Sequence, residues 1–183
     1  IYLAPYLCLT RCEQTKSGAR MLDMKSFDPK ELRNAFGCFA TGVTVVTFFD
    51  PDGKPSGVTV GSFTSLSLDP PLCLFSLGKD KISSQWIEEH GAFTVNVLAR
   101  DQGDLAWQFA TPKDDKFEGV HWTEASNGTP RIEGSVAYFE CGLWKTYDGG
   151  DHVIVIGQIT EMGSTDREPL IFCRGKLASV SEG

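Results

Sequence analysis

Residues 56–71, SGVTVGSFTSLSLDPP, place six hydroxyl side chains (Ser56, Thr59, Ser62, Thr64, Ser65 and Ser67) and two glycines in one strand-like run that stops at a double proline. Val58, Val60, Phe63, Leu66 and Leu68 are threaded between them. A strand that only fills a core would not carry so many small polar groups, and one that only meets solvent would not carry these apolar ones. The mixture suits a surface that holds a flat, partly apolar ligand with an anionic tail. Hydroxyls and successive backbone N–H groups cradle such a tail if the strand bends or ends near Thr64, so that Ser62, Ser65 and Ser67 converge. Taken alone, the run reads equally well as a Ser- and Thr-rich edge strand.

Working outward, Thr41–Phe49 (TGVTVVTFF) is β-branched and aromatic and predicts a strand, and Asp50-Pro51-Asp52-Gly53 predicts the turn into the quoted run. The run is then the returning strand of a hairpin, from Ser56 to Ser67. Before it, Asp28-Pro29-Lys30-Glu31 has the N-cap, first-position proline and capping-box acid of a helix start. Leu32, Ala35, Phe36 and Phe39 follow at helical spacing, which predicts an inward face. After it, Leu72–Leu77 predicts a strand, Lys81–His90 a helix stopped by Gly91, Phe93–Leu98 a strand and Asp101–Ala110 a short helix. Thr111–Gly119 is a charged loop with one buried-looking residue, Phe117. Further strands are expected over Ala137–Trp144, His152–Glu161 and Leu170–Val180, the last broken at Gly175. Strands dominate and helices do not alternate with them, so the expected fold is mainly β, an antiparallel barrel with a few short peripheral helices.

Composition narrows the function. At 183 residues one domain is the default, and a net charge of −7 argues against a nucleic-acid partner. No apolar run approaches the roughly 20 residues of a membrane-spanning helix, so no membrane partner is expected. The six cysteines are scattered without a metal-ligand spacing, which predicts no metal site and a reduced, cytoplasmic protein. Residues 1–20 differ in pattern from the rest of the chain and read as a leader foreign to the domain, which then occupies 21–183 with a natural start near Met21 or Met24.

Four further groups carry candidate chemistry. Gly149-Gly150-Asp151-His152 places a histidine after two glycines that permit close ligand approach. His90 at a helix end and His121 in a loop read as structural. Asn96, with Ala99, Arg100 and Gln102, sits at a strand end, where sites on rigid scaffolds are common, although alternation alone sends Asn96 to solvent. Lys116-Phe117 places a cation beside an aromatic ring in an otherwise acidic loop. No G-x-S-x-G, Walker loop, H-E-x-x-H or G-x-G-x-x-G is present.

In order along the chain, Arg33–Gly37, Thr41–Thr47, Gly57–Thr59, Ser62–Pro71, Phe93–Leu98, Asp115–Phe117, Gly150–His152 and Pro169–Leu170 resemble the flavin reductase-like, FMN-binding split-barrel family. The likeness runs from about Phe27 to Val180. It implies a homodimeric split β-barrel that uses FMN or FAD, with NADH or NADPH as hydride donor. Carried over position by position, it implies that Thr44, Val45, Val60, Gly61, Ser62 and Phe63 line the flavin and that Ser65 and Ser67 reach its ribityl phosphate. Asn96, Leu98, Ala99 and Gln102 would close the other side, with Phe117 as a cap, Lys116 near the phosphate and His152 beside the nicotinamide. The implied activity is NAD(P)H:flavin oxidoreduction that supplies a partner monooxygenase; the alternative is a flavin carrier or sensor without turnover. A split-barrel oxidase of a phosphorylated pyridoxal-type substrate is disfavoured, because few basic residues accompany the hydroxyl run. Many relatives carry Met, Ala and Asn where this chain has Val58, Val60 and Gly61.

Overall fold

The computed structural model describes residues 26–180, so the expected leader and the start near Met21 or Met24 lie outside the described residues. Helix α1 (Pro29–Phe36) is followed by β1 (Thr41–Gly42), β2 (Thr44–Phe49), β3 (Pro55–Val60), β4 (Thr64–Leu68) and β5 (Pro71–Gly78). Next come α2 (Ile82–His90), β6 (Ala92–Val97), a 3-10 turn at Arg100–Gln102 and α3 (Gly103–Ala110). The remainder is β7 (Trp122–Glu124), β8 (Pro130–Ile132), β9 (Ala137–Gly149), β10 (His152–Ser164), β11 (Ile171–Cys173) and β12 (Lys176–Ala178).

The turn between β2 and β3 forms as its composition dictates. The Asp50 carboxylate accepts from the N–H groups of Asp52 and Lys54 at 3.0 and 2.8 Å, and Gly53 takes a φ of 76°. β3 then runs back along β2, with Thr44 opposite Val60 and Phe49 opposite Pro55. The expected single strand from Ser56 to Ser67 is, however, two strands. β3 ends at Val60, Gly61–Phe63 turn away, and β4 pairs with β5 instead, with its register shifted between Ser65 and Ser67.

That break closes the fold. Seven antiparallel strands form one sheet in the order β3-β2-β6-β9-β10-β5-β4, so its two edges are strands that are consecutive in the chain. A flat sheet of this width would hold its edge strands about 29 Å apart. The link from Val60 to Thr64 reaches at most about 15 Å. The sheet must therefore curl until its edges meet. The seam is held by the Ser62 hydroxyl, which accepts from the Ser76 N–H of β5 at 2.9 Å. This is a mainly β barrel with its wall split between β3 and β4. Val46, Phe48, Phe75, Phe93, Val95 and Val155 fill its interior. Val43, Val45, Leu98, Phe109, Phe117 and Leu170 form a second core under α3. Gly157 is needed inside the first, because a Cβ there would lie 2.5 Å from Phe93 Cζ and 3.0 Å from Cys141 Cβ.

Two expectations are corrected. Helix α1 is capped by Asp28, which accepts from Lys30 and Glu31 N–H, but its apolar residues do not face inward. Phe36 and Phe39 are 71% and 78% exposed and Leu32 is 42% exposed. Helical spacing identifies an apolar face without identifying what covers it. The short β7–β8 ribbon was not expected, since its pairs mix Trp122 with Ile132 but Thr123 with Arg131 and give no clear alternation. The four described cysteines, Cys38, Cys73, Cys141 and Cys173, are free thiols. No described helix is long and apolar enough to cross a membrane.

Candidate functional site

The hydroxyl segment forms an open polar edge. β4 terminates the sheet, so the backbone N–H and C=O groups on its outer side face no neighbouring strand. Thr64, Ser65 and Leu66 are exposed and Ser67 is half-buried, and the hydroxyls of Ser65 and Ser67 donate to no described residue. At the seam, Gly61 and Ser62 are exposed while Phe63 packs on Phe139, with ring centroids 5.5 Å apart. A Cβ built on Gly61 would meet only Thr41 Oγ1, at 3.6 Å, so the backbone here is open to close approach.

His152 lies at the same end of the sheet. It opens β10 opposite Gly78 of β5, two residues along from Ser76, which bonds Ser62. Val153 and Val155 point into the core, so alternation turns His152 and Ile154 to the outer face. The imidazole Nδ1 lies 2.7 Å from Asp151 Oδ1, and Nε2 is left without a partner among the described residues. The same contact holds the Asp151 carboxyl below its usual range, first through the hydrogen bond and then through the charge of His152. Ser62 and Phe63 thus lie at the His152 end of β5, whereas Ser65 and Ser67, opposite Cys73 and Leu72, lie five to six residues further along it.

The other expected residues are placed elsewhere. Thr44, Val45 and Val60 are buried, and Thr44 Oγ1 donates to Val60 O at 2.9 Å, so they form the wall behind the seam. Asn96 is fully buried rather than solvent-facing. Its Nδ2 donates to Val45 O and Thr47 Oγ1, each at 3.0 Å, and its Oδ1 accepts from Ile132 N–H at 2.8 Å. Leu98 and Ala99 are buried. Gln102 braces them, its Oε1 accepting from Ala99 N–H at 2.9 Å and its Nε2 donating to Glu133 O at 2.8 Å. These side chains are committed to the framework.

Lys116 and Phe117 sit below α3. Phe117 is buried against Phe109 and Trp122, at 5.1 and 5.8 Å between centroids. Lys116 Nζ donates to Phe109 O at 2.8 Å, and burial, reinforced by the charge of Lys81, lowers its pKa. With Lys54, Lys81 and Lys113 it lines a cleft of about 460 Å³ beside β3. The scattered positions of these lysines hid that cleft from the sequence. Also missed were Trp107 and Phe172, which with Gly42, Thr59 and Gly61 line an apolar recess of about 160 Å³ next to the seam. The available signal was Trp107 on the outward face of a helix whose other side carries Phe109. Thiol chemistry is unpromising in the barrel interior. Cys73 and Cys141 are buried 3.7 Å apart, and the hydrogen bond with Cys73, then burial, pushes the Cys141 thiol up.

Comparison with known proteins identifies the family. A family model described as "Flavin reductase like domain" matches residues 36–181. A "Probable flavin reductase" of Rhizobium meliloti (strain 1021) is 45% identical over 149 residues, 81% of this chain and 48% of that protein, so the chain spans about half the length of this curated relative. The reductase subunit HsaB of a flavin-dependent monooxygenase from Rhodococcus jostii (strain RHA1) is 40% identical over 169 residues, 92% of this chain and 85% of that one. The solved structure of Streptomyces globisporus C-1027 NADH:FAD oxidoreductase SgcE6, in complex with NAD and FAD fragments, superposes with a TM-score of 0.80 at 39% identity, covering 86% of this chain and 98% of that one.

Proposed function

Because the chain belongs to the flavin reductase-like family, we propose that it is an NAD(P)H-dependent flavin reductase that supplies reduced FMN or FAD to a partner monooxygenase. The observation that carries this reading is the uncommitted polar edge of β4 running into the open seam at Gly61 and Ser62. The residues present fit a flavin. Gly61 leaves room for a flat ring at the seam, Phe63 and the Trp107–Phe172 recess offer apolar surface, and Ser65 and Ser67 have free hydroxyls for a phosphorylated tail.

Flavin, when bound, supplies the two-electron chemistry by accepting a hydride from the nicotinamide. The chain's part is to bind, orient and exclude water. Backbone groups at Gly61–Phe63 would hold the ring edge, where oriented N–H groups favour negative charge. Ser65 and Ser67 hold the tail and so set the ring's position along the seam. Thr44, Val45 and Val60 keep the wall behind it dry and rigid, and Asn96, Leu98, Ala99 and Gln102 support that wall from within. Lys116, bonded to Phe109 O, is a less direct phosphate partner than the serines. His152, oriented through Nδ1 by Asp151, would have Nε2 available to the nicotinamide.

A second copy of this chain covers the exposed apolar residues Phe27, Leu32, Phe36 and Phe39, making the working unit a homodimer. A reductase of this kind draws on the cytoplasmic pool of reduced nicotinamide. Anaerobic stopped-flow mixing of the flavin-loaded protein with NADH, and separately with NADPH, tests the activity. Bleaching of the flavin is expected with at least one of them. Tight flavin binding with no bleaching by either would replace the reductase with a flavin carrier.

A further inference from the structure

Five arginines lie among residues 26–180, and three are paired with carboxylates: Arg100 with Glu168 at 2.7 Å, Arg131 with Glu140 at 3.3 Å and Arg167 with Asp101 at 2.6 Å. The other two, Arg33 and Arg174, pair with no carboxylate among the described residues. They share one cleft of about 480 Å³, lined also by Asn34, Gly37, Phe172 and Gly175. In a chain with 24 acidic residues against 17 basic ones, two arginines lining one cleft with no carboxylate partner among the described residues stand out.

The cleft is built by two elements that are tied together. Arg33 and Asn34 lie in the last turn of α1, and Arg174 sits in the tight turn between β11 and β12. Arg174 N–H donates to Gly37 O at 2.7 Å. A Cβ on Gly37 would lie 3.7 Å from Arg174 Cα, so the two elements are in van der Waals contact here. Arg174 and Gly175 have φ of 50° and 77°, the left-handed pair of a two-residue hairpin turn. Arg174 is the one non-glycine residue with positive φ among those described. Asn, Asp or Gly would hold the first turn position with less strain, so arginine there points to a role outside the turn.

Two guanidiniums present planar forks of donors that keep their charge and match phosphate oxygens, and the Asn34 amide adds a further donor. Phe172 lines this cleft and also the apolar recess that contains Gly61, so the arginines lie along a continuous surface from the seam. We infer that Arg33 and Arg174 bind the pyrophosphate of a dinucleotide, in the adenosine-diphosphate half of the nicotinamide cosubstrate. The identity of the dinucleotide rests on the reductase reading above; the anion site itself rests on the cleft.

The test is calorimetric titration of the full-length chain, with FMN saturating, using ADP and then inorganic pyrophosphate. Each of R33Q and R174N is expected to weaken ADP binding about tenfold, and the double variant to abolish it. Asparagine tolerates positive φ, so R174N is also expected to raise the melting temperature by about 2 °C while losing affinity. Unchanged ADP affinity in both single variants overturns the site. So does a loss of affinity that follows a change in oligomeric state by sedimentation, because the arginines would then be meeting a second copy. Unchanged affinity alongside normal bleaching by NADH removes this site alone, whereas absent bleaching with arginine-dependent ADP binding removes the reductase reading and leaves the site.

Discussion

Asn96 and the Ser65–Ser67 pair look alike in sequence, small polar groups set in apolar strands, yet they occupy opposite situations. Asn96 is fully buried, and its amide is engaged by β2, by Thr47 and by the backbone of β8. Around it lies a continuous polar network. Thr94 and Thr129 hydroxyls are 2.7 Å apart, Asn127 donates to Phe93 O and Cys141 O, and Glu140 accepts from Ser126 N–H at 2.8 Å and from Arg131 at 3.3 Å. Thr47 completes it by donating to Pro130 O. The serines, by contrast, sit on a terminal strand with their hydroxyls uncommitted. A polar group whose bonds are complete inside the protein specifies the fold, and one whose bonds are open is available to a ligand.

Substitutions separate the two regions. Removing the buried Glu140 carboxylate takes the acceptor from Arg131, which is one-third exposed, and from the Ser126 and Asn127 N–H groups, so Glu140→Ala is expected to lose about 3 kcal/mol of stability in denaturant unfolding. The flavin affinity of the protein that remains folded should change little; a tenfold loss would mean that the network reaches the site directly. Asn96→Leu leaves the Ile132 N–H without an acceptor and should cost about 3 kcal/mol, again read by unfolding. Retention of wild-type stability would contradict the bonds described for it.

On the open edge the expected signs reverse. Ser65→Ala combined with Ser67→Ala should weaken flavin binding about tenfold in fluorescence titration, with a melting temperature within about 1 °C of the parent. Equal flavin affinity in the double variant would take the tail away from β4. His152→Ala is expected to raise the KM for the nicotinamide about fivefold and leave flavin affinity almost intact, and unmoved kinetics would remove His152 from the site. The smallest effect is electrostatic. Burial lowers the Lys116 pKa, so the folded chain binds fewer protons there than the unfolded chain between that lowered value and 10.5. Stability should therefore rise slightly with pH across this window, and Lys116→Met should flatten the rise in thermal melts at stepped pH.

Much of this architecture was legible because strands such as Thr44–Phe49 and Ala92–Val97 combine β-branched residues with clear turn signals. The break at Gly61–Phe63 was not, since hydroxyl and apolar residues continue through it and the reason for the corner is the meeting of two distant sheet edges. The burial of Asn96 was not legible, because alternation alone sends it to solvent, while the backbone that satisfies it arrives from residues 130–132. The apolar face of α1 was visible, but its cover is not in the described chain. The arginine cleft joins residues near positions 33 and 174, and no local pattern connects them.

The three-residue link at the seam also orders assembly. The hairpins on either side of it, β2–β3 and β4–β5, are complete by residue 78, whereas β6, β9 and β10, which lie between β2 and β5 across the sheet, end only at residue 164. A growing chain thus carries its two sheet edges as neighbours long before the wall between them exists. The seam at Ser62 and His152 can join one sheet only after most of the chain has been synthesised. Long-range pairing of this kind folds slowly and leaves strand edges exposed meanwhile, so a truncated chain that stops before β10 would leave the β4–β5 hairpin without the strand that joins it to β9.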